Sequence, residues 1–380
     1  MMRTALLRSL ALVACTGGTD DPTDTDSTDP TDTTDTTDTT TDTTDTGDTG
    51  PDPDSIFALG VITGWDGTSF AYADRVEPYT LATPLFSDYA VKERAYLLPE
   101  GQQAIYRDPA VLDFPVGTTI VKSFLFPADL RTPDQDLRVI ETRVLIREEN
   151  GWQNWPYLWN EEQTDAIRAP SGAIVQMEVT GFDGEPLAFP YLVPQRNQCV
   201  DCHELTGEDG RYTTPIGPSV RNLNVGDQMA RLAGTISGLP PLGELPAAYD
   251  ASLLAGVDPT TLDDPTLEAA ARDYLHVNCA HCHNRNGTEG VSSQLFLTWY
   301  EDDPFHLGQC KKPGSAGRGT NGLDYDIVPG DPESSILWYR TQTEEIGEMM
   351  PDIGRSLRHD EGVALIAEWI RRLEGTCTEN

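Results

Sequence analysis

Two copies of one five-residue pattern hold the residues best suited to chemistry, CVDCH at residues 199–203 and CAHCH at residues 279–283. Two thiols at this spacing add across the two vinyl groups of one haem, and the imidazole that follows ligates the iron from the same turn of helix. The sequence therefore predicts two covalently bound haem c groups. The predicted thioether cysteines and proximal histidines are Cys199, Cys202, Cys279, Cys282, His203 and His283.

A structural zinc site is the alternative use of these four cysteines. Zinc ribbons place their two cysteine pairs about 15–20 residues apart, whereas 76 residues separate Cys202 from Cys279. A Cys₄ site would also leave both motif histidines without a role. The spacing favours haem over zinc.

The N-terminus, MMRTALLRSLALVAC, places Arg3 and Arg8 ahead of a short apolar run that ends at Cys15. This pattern is typical of a bacterial lipoprotein signal, with residues 1–14 removed and Cys15 lipidated. An ordinary secretory signal and a misassigned start are the alternatives. The predicted location is the periplasm or the cell surface, which agrees with haem attachment outside the cytoplasm.

Residues 15–54 are rich in Thr and Asp and predict a disordered tether. Thirteen Asp lie between Asp20 and Asp54, and no Lys or Arg occurs between Arg8 and Arg75. Such a segment has too little apolar surface to fold and is extended by charge repulsion. It would hold the folded body away from a lipid anchor.

The whole chain has a formal net charge of −36. The tether accounts for only thirteen of the 62 acidic residues, so the folded body is also acidic. This charge excludes nucleic acid as a natural partner and suits a basic redox partner or high solubility. No later segment has the roughly 20 consecutive apolar residues that a membrane span needs.

Of the seven cysteines, one is assigned to lipid and four to haem, which leaves Cys310 and Cys377. In an exported protein the remaining pair is expected to form a disulfide. Two free buried thiols are the alternative.

Short apolar runs separated by turn residues predict an all-β, sandwich-like domain over residues 55–195. Residues 120–126, 139–146 and 174–179 have the alternation and β-branched content of strands. An aromatic cluster, Trp152, Trp155, Tyr157 and Trp159, is placed between two strands, with core packing favoured over a ligand platform.

The second half predicts helices, so the fold class is α+β and multidomain. Asp264 as N-cap and Pro265 open a helix that leads to the second motif. Val363, Ile366, Ile370 and Leu373 lie on one stripe of a terminal helix. Residues 196–262 form the predicted first haem segment, and residues 263–380 form the predicted second haem domain.

Residues 265–377 resemble a class I cytochrome c domain. The segments that carry the resemblance are NCAHCHNRNG, VPGDPESSILWYR, MMPDIGRSL and DEGVALIAEWIRRL. In such domains a Met directly before Pro supplies the distal iron ligand, and Met350 with Pro351 matches it. A thioether is a soft ligand that, together with His, raises the reduction potential. Met349 as ligand and Met350 as core filling remain alternatives.

The distal ligand of the first haem is less evident. Met229 is the only methionine between the two motifs and is a weak candidate. His276, His281 and His306 are other candidates, and an open iron is a further alternative.

After the tether, the chain resembles a bacterial family of di-haem c-type cytochromes that join a β-rich region to a C-terminal cytochrome c module. The matching segments are TPLFSDYAVKER, FPVGTTIVKSF, ETRVLIREENGW, YLWNEEQTDA, NQCVDCHE and PIGPSVRNLN. The resemblance implies electron transfer. The leading hypothesis is a lipid-anchored carrier that passes single electrons from a dehydrogenase donor to a cytochrome or oxidase acceptor. The alternatives are a di-haem peroxidase-like oxidoreductase with an open first haem, and a β-domain binding module served by the haems.

Overall fold

The computed structural model describes residues 54–287, 294–315 and 317–378. The predicted signal peptide, Cys15 and nearly all of the tether lie outside these residues. In the described part the strands are β1 (Ile62–Trp65), β2 (Phe70–Tyr72), β3 (Val76–Pro78), β4 (Val91–Leu97), β5 (Ala104–Ile105), β6 (Thr119–Phe126), β7 (Arg138–Glu148), β8 (Gly151–Trp159), β9 (Ala166–Arg168), β10 (Ala173–Thr180), β11 (Pro186–Val193), β12 (Glu204–Gly207), β13 (Gly210–Thr213) and β14 (Ile236–Ser237).

A six-stranded antiparallel sheet, in the order β3-β4-β6-β7-β8-β9, is the centre of the β-rich region. Side chains alternate between its faces along each strand. On β6, Ile120 and Phe124 are buried on one face, while Val121 and Leu125 are buried on the other. Because both faces carry buried apolar side chains, both must be covered, although the Ile120 face also carries charged residues such as Lys122.

Two separate hairpins cover parts of these faces. The β1–β2 hairpin contributes Ile62 and Phe70 to the core of the Val121 face. The β10–β11 hairpin packs Phe189 and Tyr191 against the opposite face. The β-rich prediction therefore holds, but the arrangement is one large sheet between two small hairpins rather than two similar sheets. Trp152, Tyr157 and Trp159 are buried on β8 itself, not between strands.

The helices lie in the second half of the described chain. They are α1 (Val200–His203), α2 (Val220–Leu223), α3 (Gln228–Leu232), α4 (Asp264–Cys279), α5 (Ile336–Gln342) and α6 (Asp360–Arg372). Short 3₁₀ helices cover Ile56–Leu59, Arg196–Cys199, Ala233–Thr235, Leu242–Glu244, Ala251–Leu254, Pro259–Thr261, Gly317–Thr320 and Pro332–Ser334. None of the helices in the described part is long and apolar enough to span a bilayer.

A capping residue explains where α4 begins. The side chain of Asp263 accepts a hydrogen bond from Thr266 N at 2.8 Å, so Asp263 is the N-cap of α4. The predicted cap, Asp264, is the first helical residue instead, one position later. His359 precedes α6, in which the predicted Ile366 and Ile370 are buried.

Helices α4 and α6 pack closely where Gly362 meets Tyr274. A Cβ atom at Gly362 would overlap the Tyr274 ring and hydroxyl. Glycine therefore allows the close approach of α6 to the helix that leads into the second motif. The two helices and α5 share one apolar core, which includes Leu275, Leu337 and Trp369.

The segment between the two motifs packs on the β-rich region. Leu223 and Leu232 lie in the same core as Tyr96 and Leu145 of the sheet. A two-residue parallel pairing of β14 with β5 adds a backbone link. The predicted segments 55–195 and 196–262 thus share a core, and the described residues form one compact unit.

Candidate functional site

The first motif forms a single turn that is held against the sheet. The 3₁₀ helix Arg196–Cys199 runs directly into α1, which ends at His203. The Arg196 side chain donates to Gln153 Oε1 at 2.7 Å and to Asn154 O at 3.2 Å. Its guanidinium also lies 3.9 Å from the centroid of the Trp155 ring. These contacts fix the start of the motif on β8.

The imidazole of His203 is oriented by a backbone carbonyl. The β12–β13 hairpin follows His203 and returns Thr214 to it, so that Nδ1 lies 2.9 Å from Thr214 O. Because a carbonyl only accepts, this bond places the proton on Nδ1 and leaves the lone pair on Nε2. Burial lowers the pKa of His203 to about 4. A neutral imidazole with a free Nε2 is the form that binds a metal.

The second motif begins where α4 ends. Cys279 is the last residue of the helix and is buried, and His283 N donates to Cys279 O at 2.9 Å. Burial lowers the pKa of His283 to about 4, although a backbone hydrogen bond at Leu295 acts in the opposite direction. His283 is therefore also neutral near pH 7.

A cavity of about 480 Å³ lies beside the second motif. Its lining includes Cys279, Cys282, His283 and Met350, together with apolar side chains such as Leu297. Three thiols, two imidazoles and one thioether therefore line the same cavity, because Cys202 and His281 also belong to its lining. This donor set suits a soft or borderline metal held in a hydrophobic cofactor.

Backbone contacts fix the loop that carries Met350. Met350 N donates to Arg340 O at 2.7 Å, and Arg355 Nε donates to Met350 O at 3.1 Å. The Arg355 guanidinium also donates to Thr343 O at 2.8 Å. Met349 is buried and is not part of the cavity lining. The structure thus distinguishes the two methionines, and buried Arg355 is a positioning residue that the sequence analysis missed.

The two motifs meet, although 79 residues lie between their facing cysteines, Cys202 and Cys282. The sulfur atoms of Cys202 and Cys282 and a ring nitrogen of His281 all lie within 4.8 Å of one another. Cys282 Sγ lies 3.2 Å from Asp201 O, and Thr206 N donates to Asn286 O at 2.9 Å. A hydrogen bond with Cys282, followed by burial, raises the pKa of Cys202 to about 12.

A four-cysteine tetrahedron is not assembled in the described part of the chain. The group of possible metal ligands that the structure brings together contains Cys202, His281 and Cys282, without Cys199 or Cys279. The Cys₄ zinc alternative therefore lacks two of its ligands. The three-membered group remains a possible site for a single metal ion.

The candidates for the distal ligand of the first haem lie in different surroundings. Met229 is buried in the apolar core that also holds Tyr96 and Leu145. His306 lies beside Asp303, with its ring 4.9 Å from that of Phe296. His276 is buried on α4, where burial lowers its pKa to about 4. Of these candidates, His281 belongs to the cluster where the motifs meet.

Cys310 and Cys377 are joined by a disulfide across a sequence separation of 67 residues. The bond ties the segment after α6 to the loop that precedes α5. It lies outside the cavity lining. The remaining described cysteines, all four in the motifs, are not in disulfides in this structure.

Comparisons of this chain with protein-family models, with curated proteins and with solved structures find no match. The likeness to cytochromes therefore rests on the motifs and on the geometry described above.

Proposed function

We propose that this chain is a di-haem c-type cytochrome that carries single electrons. The observation that carries the proposal is the convergence of the two CxxCH motifs, with Cys202 and Cys282 in one cluster. Two cofactors attached at adjacent cysteines would lie close to each other. Short separation between redox groups is what an electron carrier with two centres requires.

The residues present fit a haem at each motif. Cys199 and Cys202 would hold the first, Cys279 and Cys282 the second, and each bound haem would supply one-electron chemistry at its iron. His203 offers Nε2 because Thr214 O holds Nδ1. The cavity beside His283 has apolar side chains such as Leu297 and Leu337 in its lining, which would pack against the apolar ring of a haem.

Met350 is proposed as the distal ligand at the second motif. It lines the same cavity as His283, and its backbone is fixed by Arg340 and Arg355. A thioether paired with an imidazole raises the reduction potential. The pair suits a carrier that accepts electrons readily.

The loop beside the cavity offers a docking surface for a basic redox partner. Ile346 is 86% exposed and is flanked by the exposed acidic residues Glu344 and Glu345. Gly347 and exposed Asp352 of the same loop line the cavity. An apolar residue ringed by carboxylates near a redox centre would steer and seat a cationic partner such as a cytochrome or a dehydrogenase subunit.

We further propose that the protein is exported and held to a membrane by lipid on Cys15. Replacing Cys15 with Ser should move the protein from the membrane fraction to the soluble fraction. Retention of the variant in the membrane would contradict the lipid anchor.

The deciding experiment counts covalent haem in the protein produced by cells that attach haem c. Intact mass should equal the processed chain plus two haems, and the pyridine haemochrome spectrum should give the same number. The double variant Cys199→Ala/Cys202→Ala should retain one haem, and Cys279→Ala/Cys282→Ala should retain the other. A full-length chain without covalent haem would refute the proposal.

The cluster of Cys202, His281 and Cys282 favours a second candidate function, the binding of one metal ion. That function predicts about one zinc per chain by elemental analysis and no haem mass.

Carbon monoxide added to the reduced, haem-loaded protein separates the carrier from a peroxidase-like enzyme. An unchanged spectrum indicates two six-coordinate irons, whereas a change in about half of the absorbance indicates an open iron and favours the enzyme.

A further inference from the structure

Three cations stand side by side on neighbouring strands of the central sheet. Arg94 on β4 is paired with Lys122 on β6, which is paired in turn with Arg143 on β7. Paired residues of antiparallel strands point to the same face, and like charges directly opposite destabilise a sheet. Lys92, two residues before Arg94, lies on the same face. We call these four residues the cationic row.

Arg94 is buried and the other three members of the cationic row are half-buried, with little negative charge beside them. Glu141, which is fully buried, accepts hydrogen bonds from Arg143 at 3.0 Å and from Tyr191 at 2.6 Å. Asp88 is the other carboxylate near the row, and it also accepts backbone hydrogen bonds from residues 356 and 357. Four basic groups therefore face two carboxylates.

Two members of the row are incompletely paired in the described structure, although Arg94 Nη1 donates to Lys92 O at 3.2 Å. Arg94 is only 7% exposed, and its Nη2 is buried without a hydrogen bond. The ammonium of Lys122 lies 4.7 Å from the centroid of the Phe124 ring and makes no hydrogen bond or ion pair with the described residues. A ring face compensates a buried cation only in part. A bound anion beside Arg94 and Lys122 would compensate the rest of their positive charge.

The row lies beside the strand that holds the first motif. Arg143 on β7 pairs with Pro156 on β8, and Arg196, three residues before Cys199, donates to Asn154 O of β8 at 3.2 Å. The second motif has a different setting. Of the two cations near His283, Lys311 is paired with Asp326 at 3.0 Å, and Arg340 donates its Nε to Glu348 O at 2.8 Å. The unbalanced positive charge therefore belongs to the first site.

We propose that Arg94, Lys122 and Arg143 bind the two carboxylates of the haem attached at the first motif. This inference rests on the proposed function, since the haem brings the anions. It explains why three like charges are placed side by side on one face of the sheet. An external anion such as nitrite has the same negative charge and is the competing occupant.

The test uses the full-length, haem-loaded protein and three variants. Lys122→Gln removes one charge of the row, Lys122→Arg keeps it, and Arg138→Gln removes an exposed charge from the same sheet as a control. Mass spectrometry counts the haems, and an optical redox titration over a range of pH gives the midpoint potential of each.

Lys122→Gln should lower one of the two potentials and leave the other unchanged, because a nearby positive charge favours the reduced haem. The pH range over which that potential varies should also move upward, because carboxylates without a cation titrate at higher pH. Lys122→Arg should keep the wild-type values. Loss of the first haem alone in Lys122→Gln, with both retained in Lys122→Arg, would support the inference equally.

If Lys122→Gln carries two haems and matches Arg138→Gln at every pH, the inference is wrong and the proposed function still stands. If the wild-type protein carries no haem, the proposed function fails and the inference fails with it. A nitrite-dependent spectral shift that Lys122→Gln abolishes, with unchanged potentials in the absence of nitrite, would assign the row to an external anion and overturn the inference.

Discussion

A histidine that binds a metal through one ring nitrogen needs a partner for the other nitrogen, and His203 has that partner in the carbonyl of Thr214. The sequence identifies His203 by its position after two cysteines. It does not identify Thr214, eleven residues later, because the β12–β13 hairpin creates the contact. Local spacing predicts ligands, whereas the residues that orient them depend on the fold.

Met350→Ala is expected to lower the reduction potential of one haem. Axial ligands shift haem potentials within a range of about 0.8 V, and a thioether lies toward the high end. The absorption band that arises from sulfur-to-iron charge transfer should disappear.

Met349→Ala is the matched control, because Met349 is buried outside the cavity lining. It should keep the charge-transfer band and cost about 2–5 kcal/mol of unfolding free energy, as is typical of a buried Met. Loss of the band in Met349→Ala, but not in Met350→Ala, would reverse the assignment.

The strands predicted from local sequence pattern agree well with the structure. The way in which they assemble does not follow from the local pattern. Alternation predicts β6, β7 and β10, because a half-buried strand needs no distant information. The same alternation shows that Val121 and Phe124 face opposite sides without showing what covers each side. The sandwich expectation failed at that step. The contact between Cys202 and Cys282 was equally beyond sequence reasoning, since only the tertiary fold creates it.

Gly362→Ala should destabilise the crossing of α4 and α6. Glycine to alanine in an exposed helix usually stabilises by up to about 1 kcal/mol, but here the new methyl group would overlap Tyr274. We expect a loss of about 1–3 kcal/mol, typical of overpacking, in chemical denaturation. Ala364→Ser, at an exposed position of the same helix, should change stability by less than about 0.5 kcal/mol. A Gly362→Ala variant more stable than wild type would show that α6 can move away from α4 at little cost.

Asp88 joins a loop of the β-rich region to the loop before α6. It is 1% exposed, and its Oδ1 accepts from Ser356 N at 2.6 Å and from Leu357 N at 2.7 Å. Burial raises its pKa to about 6, outweighing these hydrogen bonds and the positive charges of Arg355 and Lys92. The folded state therefore binds this proton more tightly than the unfolded state, and the contribution of Asp88 to stability decreases as pH rises from about 4 to about 6.

Asp88→Asn should remove this pH dependence while keeping an oxygen acceptor for both backbone groups. Unfolding free energy at pH 7 should rise by up to about 3 kcal/mol relative to wild type, with little difference near pH 3. Denaturant titrations at several pH values would measure it. Asp66→Asn should have the opposite effect and lower the unfolding free energy at pH 7, because backbone hydrogen bonds from Ser69 and Thr68 lower the pKa of Asp66.

At the scale of the whole molecule, charge is distributed unevenly. The chain has a net charge of −36, yet the cationic row lies beside the strand that holds the first motif. Acidic groups near the exposed loop at Ile346 would attract a basic partner, and these cations would hold an anionic cofactor. Under the proposed function, the acidic surface would therefore serve partner binding and the cationic row would serve cofactor binding.

The disulfide should stabilise the whole unit by closing a long loop. For a separation of 67 residues, the chain-entropy relation gives about 4 kcal/mol. The double variant Cys310→Ala/Cys377→Ala should lose about that much unfolding free energy. Under reducing conditions, wild type and variant should have similar unfolding free energies. A difference that persists under these conditions would mean that the alanines disturb packing instead.

The meeting of Cys202 with Cys282 also constrains the biogenesis of the protein. In an oxidising compartment, two neighbouring thiols readily form a disulfide, and a bond between these two would take one cysteine from each motif. A chain that folded before it received its cofactors would block both attachment sites at once. Under the proposed function, haem attachment would therefore have to precede the docking of the two motifs, or a thiol reductant would have to keep these cysteines reduced until attachment is complete.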